Sequence, residues 1–150
     1  MAQSLSQLYV HIVFSTKNRF PFIKEDIDDE LYAYIGGIIK QYKGIPIMIN
    51  GVSDHIHILS SLPRTISISK FIEEIKKNSS KWIKTKGNEY SNFSWQNGYG
   101  AFSVSSSKVD VVMKYIENQK NHHTKHGFKD ELLLFLNEYN IEYDEKYLWT

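Results

Sequence analysis

The stretch DHIHIL (54–59) sets two histidines one residue apart in an apolar, β-branched run, with an aspartate directly before them. Side chains two apart on a strand point to the same face, about 6.6 Å apart along the chain, and two imidazoles at that spacing can tilt onto one ion. His55 and His57 therefore read either as a pair aimed at a metal or as half-buried sheet residues with ordinary hydrogen bonds. A second constellation lies in VDVVMKYIENQKNHH (109–123). There Val109, Val112, Met113 and Ile116 form an apolar stripe at helical spacing, and Tyr115, Gln119 and His122 gather about 100° away from it. Tyr115 and Gln119, at i and i+4, share that flank. It is either a solvated surface or a nucleophile and a third metal ligand projected from a helix. His122 and His126, four apart with His123 between, invite a zinc reading, but no glutamate stands between them as a general base, and surface or hydrogen-bonding roles fit all three better.

These residues need a frame to position them. QLYVHIVFST (7–16) reads as a strand, and KEDIDDELYAYIGGIIKQY (24–42), with acids in its first turn, as a helix ended by Gly44. Residues 45–52 and 55–62 form a hairpin around Ser53 and Asp54. From 66 to 86 a second helix carries Ile68, Phe71, Ile72, Ile75, Trp82 and Ile83 on one side and Lys70, Lys77, Lys81 and Lys84 on the other. GYGAFSVS (98–105) alternates like another strand, and helices follow at 108 to about 123 and about 130 to 140. Phe71 and Trp82 belong in the core, whereas Trp95, Tyr99 and Phe102 could be core or base-stacking residues. The order β-α-β-β-α-β is that of an α+β, ferredoxin-like (RRM-like) antiparallel sheet with helices on one face, plus C-terminal helices carrying the tyrosine, in one domain over 1–150.

Composition narrows the chemistry. The absence of cysteine removes disulfides, thiolate metal sites and cysteine nucleophiles together, so a metal must use His, carboxylate or amide ligands. No apolar run reaches the roughly 20 residues of a membrane span, and the opening residues lack the pattern of a signal peptide, which places the expected protein in the cytoplasm, away from membranes. A net charge of +1 makes no global case for nucleic acid, but residues 60–90 hold seven cations against three anions. The lysine side of the second helix is therefore either a solvated face or a surface that tracks phosphates.

Together these segments resemble a family. DHIHIL is similar to the His-hydrophobic-His motif of the single-tyrosine HUH transposases, the IS200-like and REP-associated group of insertion-sequence enzymes, and YIENQKNHH resembles their tyrosine helix with Tyr-x-x-x-Gln inside it. YVHIVFSTKNR and WQNGYGAFSVS are similar to the family's opening and last strands, so the resemblance runs from residue 8 to about 128 in the right order. It implies that His55, His57 and Gln119 bind a divalent ion, Mg²⁺ or Mn²⁺, and that Tyr115 is the nucleophile. TKNR departs from the family, which often has an aromatic before the arginine; Arg19 is carried as a DNA-binding candidate with Lys70, Lys77, Lys81 and Lys84.

The implied chemistry suits these residue types. A phosphodiester repels an attacking oxyanion, so its cleavage needs a cation on a non-bridging oxygen and an in-line nucleophile. A tyrosine, with an ordinary pKa near 10, needs a nearby cation or base to attack at neutral pH. The resemblance implies a homodimer that cuts and rejoins single-stranded DNA at hairpin-marked ends through a 5′-phosphotyrosine, with the tyrosine helix acting in cis or in trans. A domesticated relative that nicks palindromes and a non-catalytic single-strand binder on the same scaffold are the rival expectations.

Overall fold

A computed structural model of the chain describes residues 2–122 and 127–150. His123 and His126, and the side chain of His122, lie outside the described residues, and with them the zinc reading. The elements run β1 (Tyr9–Ser15), α1 (Asp28–Gln41), β2 (Pro46–Gly51), β3 (His55–Ser61), α2 (Ile68–Ile83), β4 (Gly100–Val104), α3 (Val109–Glu117), α4 (Gln119–His122), α5 (Phe128–Glu138) and α6 (Glu145–Leu148). The strands form one antiparallel sheet in the order β2-β3-β1-β4, the ferredoxin-like arrangement expected from the sequence.

Local chemistry starts and stops these elements. Asp28, Asp29 and Glu30 face the positive end of the α1 dipole. The Ser67 hydroxyl caps α2 by accepting from the Lys70 amide at 3.1 Å. The β2–β3 hairpin is tight at Gly51, where a Cβ would stand 2.3 Å from the His55 carbonyl oxygen, so only glycine fits. Its turn carries Asp54 and delivers His55 at the first position of β3.

The pleat then sorts the side chains. Ile12, Phe14, Ile56 and Ile58 point to one side and pack with Leu31, Ile35 and Ile39 of α1 and Phe71, Ile72 and Ile75 of α2. Each such side chain fully removed from water contributes about 1.5–3 kcal/mol. Trp95 joins this core and donates its indole N–H to Ser79 Oγ at 3.0 Å. The other side of the sheet is covered as well: Val13 and Phe102 pack with Phe128, Leu132 and Leu136 of α5, while Leu59 and Val104 pack with Ile116 of α3. Phe102 is thus core, Trp82 is half-buried and stacked on Tyr34, and Tyr99 is exposed.

The continuous helix expected from 108 to about 123 is interrupted at Asn118. The side-chain amide of Asn50, on β2, donates to the carbonyls of Ile116 and Glu117 at 3.0 and 3.1 Å. Those carbonyls would otherwise accept from the next helical turn. A β-strand side chain thereby ends α3 and sets where Gln119 begins the following turn.

Candidate metal and nucleophile site

β1 and β3 pair so that Val13 lies opposite His57, His11 opposite Leu59 and Ser15 opposite His55. His11, His55 and His57 therefore share the face under α3 and α5, and all three are buried. His55 Nδ1 lies 2.8 Å from Asp54 Oδ1, and His57 Nδ1 lies 2.9 Å from His11 Nε2. Each histidine of the pair thus has its outer nitrogen held by a neighbour, which fixes the ring and turns Nε2 inward. Both Nε2 atoms meet one carboxylate oxygen, Glu131 Oε2, at 3.1 Å from His55 and 2.9 Å from His57.

The helices bring the remaining groups. Tyr115 sits edge-on to His57 with ring centroids 5.7 Å apart and faces His11 at 6.3 Å. Gln119, one turn further on, is fully buried, and neither its Oε1 nor its Nε2 has a hydrogen-bond partner of regular geometry. The flank of Tyr115 and Gln119 is accordingly an inward-facing one, not a solvated surface. Phe135 of α5 packs edge-on against His11 and Tyr115. A groove of about 470 Å³ between α3 and α5 opens onto Tyr115, His11 and Glu131.

Burial and charge set the protonation states. Burial works against the charged form of His55, but Asp54 and Glu131 outweigh it and raise its pKa above the usual value. Burial, reinforced by the proximity of His57, holds His11 well below the usual histidine range, so it is neutral. Burial also opposes ionisation of Glu131, yet its bonds with His55 and His57 keep the carboxyl well below the ordinary carboxylate range. Burial and the adjacent Glu131 push the Tyr115 phenol above its ordinary value, with Gln119 opposing. Tyr115 is thus a protonated phenol at neutral pH, and the charge of Glu131 holds the cluster together.

His55, His57 and Glu131 form, among the described residues, a buried group whose ligand atoms all lie within 4.8 Å of one another. Glu131, His11 and Asn50 were not singled out from sequence. Glu131 sits in an apolar-rich helical segment far along the chain, and His11 is a single histidine in a strand; only the strand alternation that places His11 on the face of His55 offered a signal.

The basic candidates lie elsewhere. α2 packs on the opposite face of the sheet from the histidines. Lys70 and Lys77 reach the buried carboxylate of Glu74 at 3.2 and 3.0 Å, and Lys77, Tyr42 and Lys70 together hold that carboxyl down to about 2. Among the described residues Lys81 and Lys84 make no ion pair. Arg19 is half-buried in the short turn after β1, with a left-handed backbone (φ 58°) and an Nη1 that has no hydrogen-bond partner. The Thr16 amide donates to the Asp54 carbonyl at 2.9 Å, which puts this turn at the His55 end of the sheet.

Comparison with known proteins extends the geometry. Residues 4–119 match the model of the family described as transposase, IS200-like. No curated protein matches the chain. Among solved structures, the fold is similar to a protein from Deinococcus radiodurans R1 assigned as a transposase, at 21% identity and TM-score 0.61 over 79% of this chain and 98% of that one. It is also similar to a REP-associated tyrosine transposase bound to a REP hairpin, at 17% identity and TM-score 0.58 over 85% of this chain and 76% of that one. Among the described residues, no helix is long and apolar enough to cross a membrane.

Proposed function

The chain belongs to the IS200-like transposase family, and from that premise we propose that it cleaves and rejoins single-stranded DNA at hairpin-marked ends through a covalent bond to Tyr115. The observation that carries this reading is the placement of a tyrosine ring 5.7 Å from one of two buried imidazoles whose Nε2 atoms converge. In the cleavage step, Tyr115 Oη bonds to the phosphorus and the P–O3′ bond breaks. The phenolic proton is balanced by the one that ends on the released 3′ oxygen, leaving a 5′-phosphotyrosine and a free 3′ hydroxyl. Rejoining runs the same exchange with another 3′ hydroxyl and needs no ATP.

The donor set fits a divalent ion. His55 and His57 offer imidazole nitrogens with their outer positions held, and the buried Gln119 amide has no regular partner. Held by His55, His57 and Gln119, Mg²⁺ or Mn²⁺ would supply a Lewis acid at a non-bridging phosphate oxygen. Tyr115 reaches the scissile phosphate from the groove between α3 and α5. Arg19 stands at the His55 end of the sheet, suited to a phosphate near the cut. Lys81 and Lys84, with Lys70 and Lys77 partly neutralised by Glu74, suit the backbone of a hairpin on the far face. The hairpin in the REP-associated relative supports this class of partner. Tyr115 and His57 of one chain already lie side by side, which favours the tyrosine helix acting in cis within each subunit of the homodimer that the family resemblance implies.

Labelled, hairpin-bearing single strands from DNA flanking the gene, incubated with the protein and Mg²⁺ or Mn²⁺, should give a covalent protein–DNA band on denaturing gels. Tyr115→Phe should abolish it, and mixing Tyr115→Phe with His57→Ala should fail to restore it. Tight hairpin binding with no adduct would favour the non-catalytic binder instead.

A further inference from the structure

We propose that Glu131 of α5 is itself a ligand of the ion held by His55 and His57, so that metal binding fastens α5 over the site. The inference rests on the metal reading above and adds to it a residue outside the tyrosine helix. Ligands cis to one another around an octahedral ion with bonds of about 2.1 Å stand about 3 Å apart. Glu131 Oε2 lies 3.1 Å from His55 Nε2 and 2.9 Å from His57 Nε2, already at that spacing from both. Two imidazoles and one carboxylate, their ligand atoms all within 4.8 Å of one another, are the donor types of a two-histidine, one-carboxylate site. The second carboxylate oxygen, Glu131 Oε1, is buried with no hydrogen bond of regular geometry, and the Tyr115 phenol lies against the same carboxylate.

The placement of Glu131 is enforced by packing. Phe128, Leu132 and Leu136 seat α5 on Val13 and Phe102, which brings the carboxylate, itself buried, down between the histidines. The Nε2–H groups of His55 and His57 donate to the Glu131 carboxylate oxygen Oε2. An ion held there would take the Nε2 lone pairs of His55 and His57 in place of those protons, with His11 Nε2 placed to accept from His57 Nδ1. Glu131 stays in place and exchanges two hydrogen bonds for one metal bond. The carboxylate also offsets one of the ion's two charges, which an amide ligand does not do.

The alternative is that Glu131 plugs the site and must be expelled, and the two roles have opposite signs in one experiment. The full chain is titrated with Mn²⁺ alone, following free Mn²⁺ by electron paramagnetic resonance, and hydrogen exchange of residues 128–138 is compared with and without saturating Mn²⁺. We expect Glu131→Gln to weaken Mn²⁺ binding about tenfold or more, and Mn²⁺ to slow exchange in α5 of the native chain but not of this variant. Glu131→Asp, which keeps the charge and folds around a smaller side chain, should retain part of both effects. Tighter binding by Glu131→Gln, with Mn²⁺ speeding exchange in native α5, would make Glu131 a plug and overturn the proposal, as would unchanged affinity or equal losses in the Gln and Asp variants. Mn²⁺ binding that survives His57→Ala unchanged would instead remove the metal reading on which the proposal stands.

Discussion

Ile56 and Ile58 point from β3 into the core beneath α1 and α2, whereas His55 and His57, their neighbours in the chain, point to the other side and are equally buried. The first face is held by non-directional burial, in which any well-shaped apolar side chain does the same work. The second is held by a directional polar set, Asp54–His55–Glu131–His57–His11, in which each member answers to the next. Burial raises the stakes of every such bond, because a partner removed leaves a desolvated group behind. Two equally dry faces of one sheet thus divide the labour: one supplies stability and the other spends part of it on a converging pair of nitrogens.

Breaking each face should have a different signature. His57→Ala should abolish the protein–DNA adduct completely in the denaturing-gel assay while costing only about 1–3 kcal/mol of stability, the cost of taking one of its two imidazole partners from Glu131 and the partner of Nε2 from His11. Ile58→Ala, one residue along, should cost about 2–5 kcal/mol in urea unfolding yet leave the adduct yield of the folded fraction unchanged. If both variants lost stability and activity together, the division between faces would fail.

Smaller changes sharpen the contrast. His11→Phe keeps the ring packing against Phe135 and Tyr115 but removes the acceptor for His57 Nδ1–H. Mn²⁺ affinity should fall about 10–100-fold, with a thermal midpoint close to that of the native chain. Gln119→Leu should cost no more than about 1 kcal/mol, since the buried amide has only its contact with the Tyr115 phenol to lose. Ion-dependent adduct formation should nevertheless drop, a combination that marks a group kept for a ligand and not for the fold.

The frame was legible because it depends on periodicity. The alternation of β1 and β3, the acids of the first turn of α1 and the apolar stripe of α2 are local patterns, and the antiparallel sheet with its helices follows from them. The expected helix of 108 to about 123 was wrong at Asn118 because its interruption comes from Asn50, a side chain 66 residues from Ile116 in the chain. The helical spacing sets Lys70 and Lys77 on the polar side of α2, and Glu74, between them on the same helix, takes both. That pairing was within reach of i,i+3 and i,i+4 arithmetic.

The sequence by itself determined that His55 and His57 share one side of a strand and that Tyr115 and Gln119 share one flank of a helix, because backbone geometry sets those relations at short range. Only the tertiary structure decided that the two sets meet, that His11 stands behind His57, and that Glu131 is laid between the imidazoles from a helix 74 residues beyond His57. Those contacts depend on how α3 and α5 are seated on the sheet by Phe102, Leu132 and Ile116. The seating comes from the summed packing of side chains remote from one another in the chain, and no local spacing encodes it.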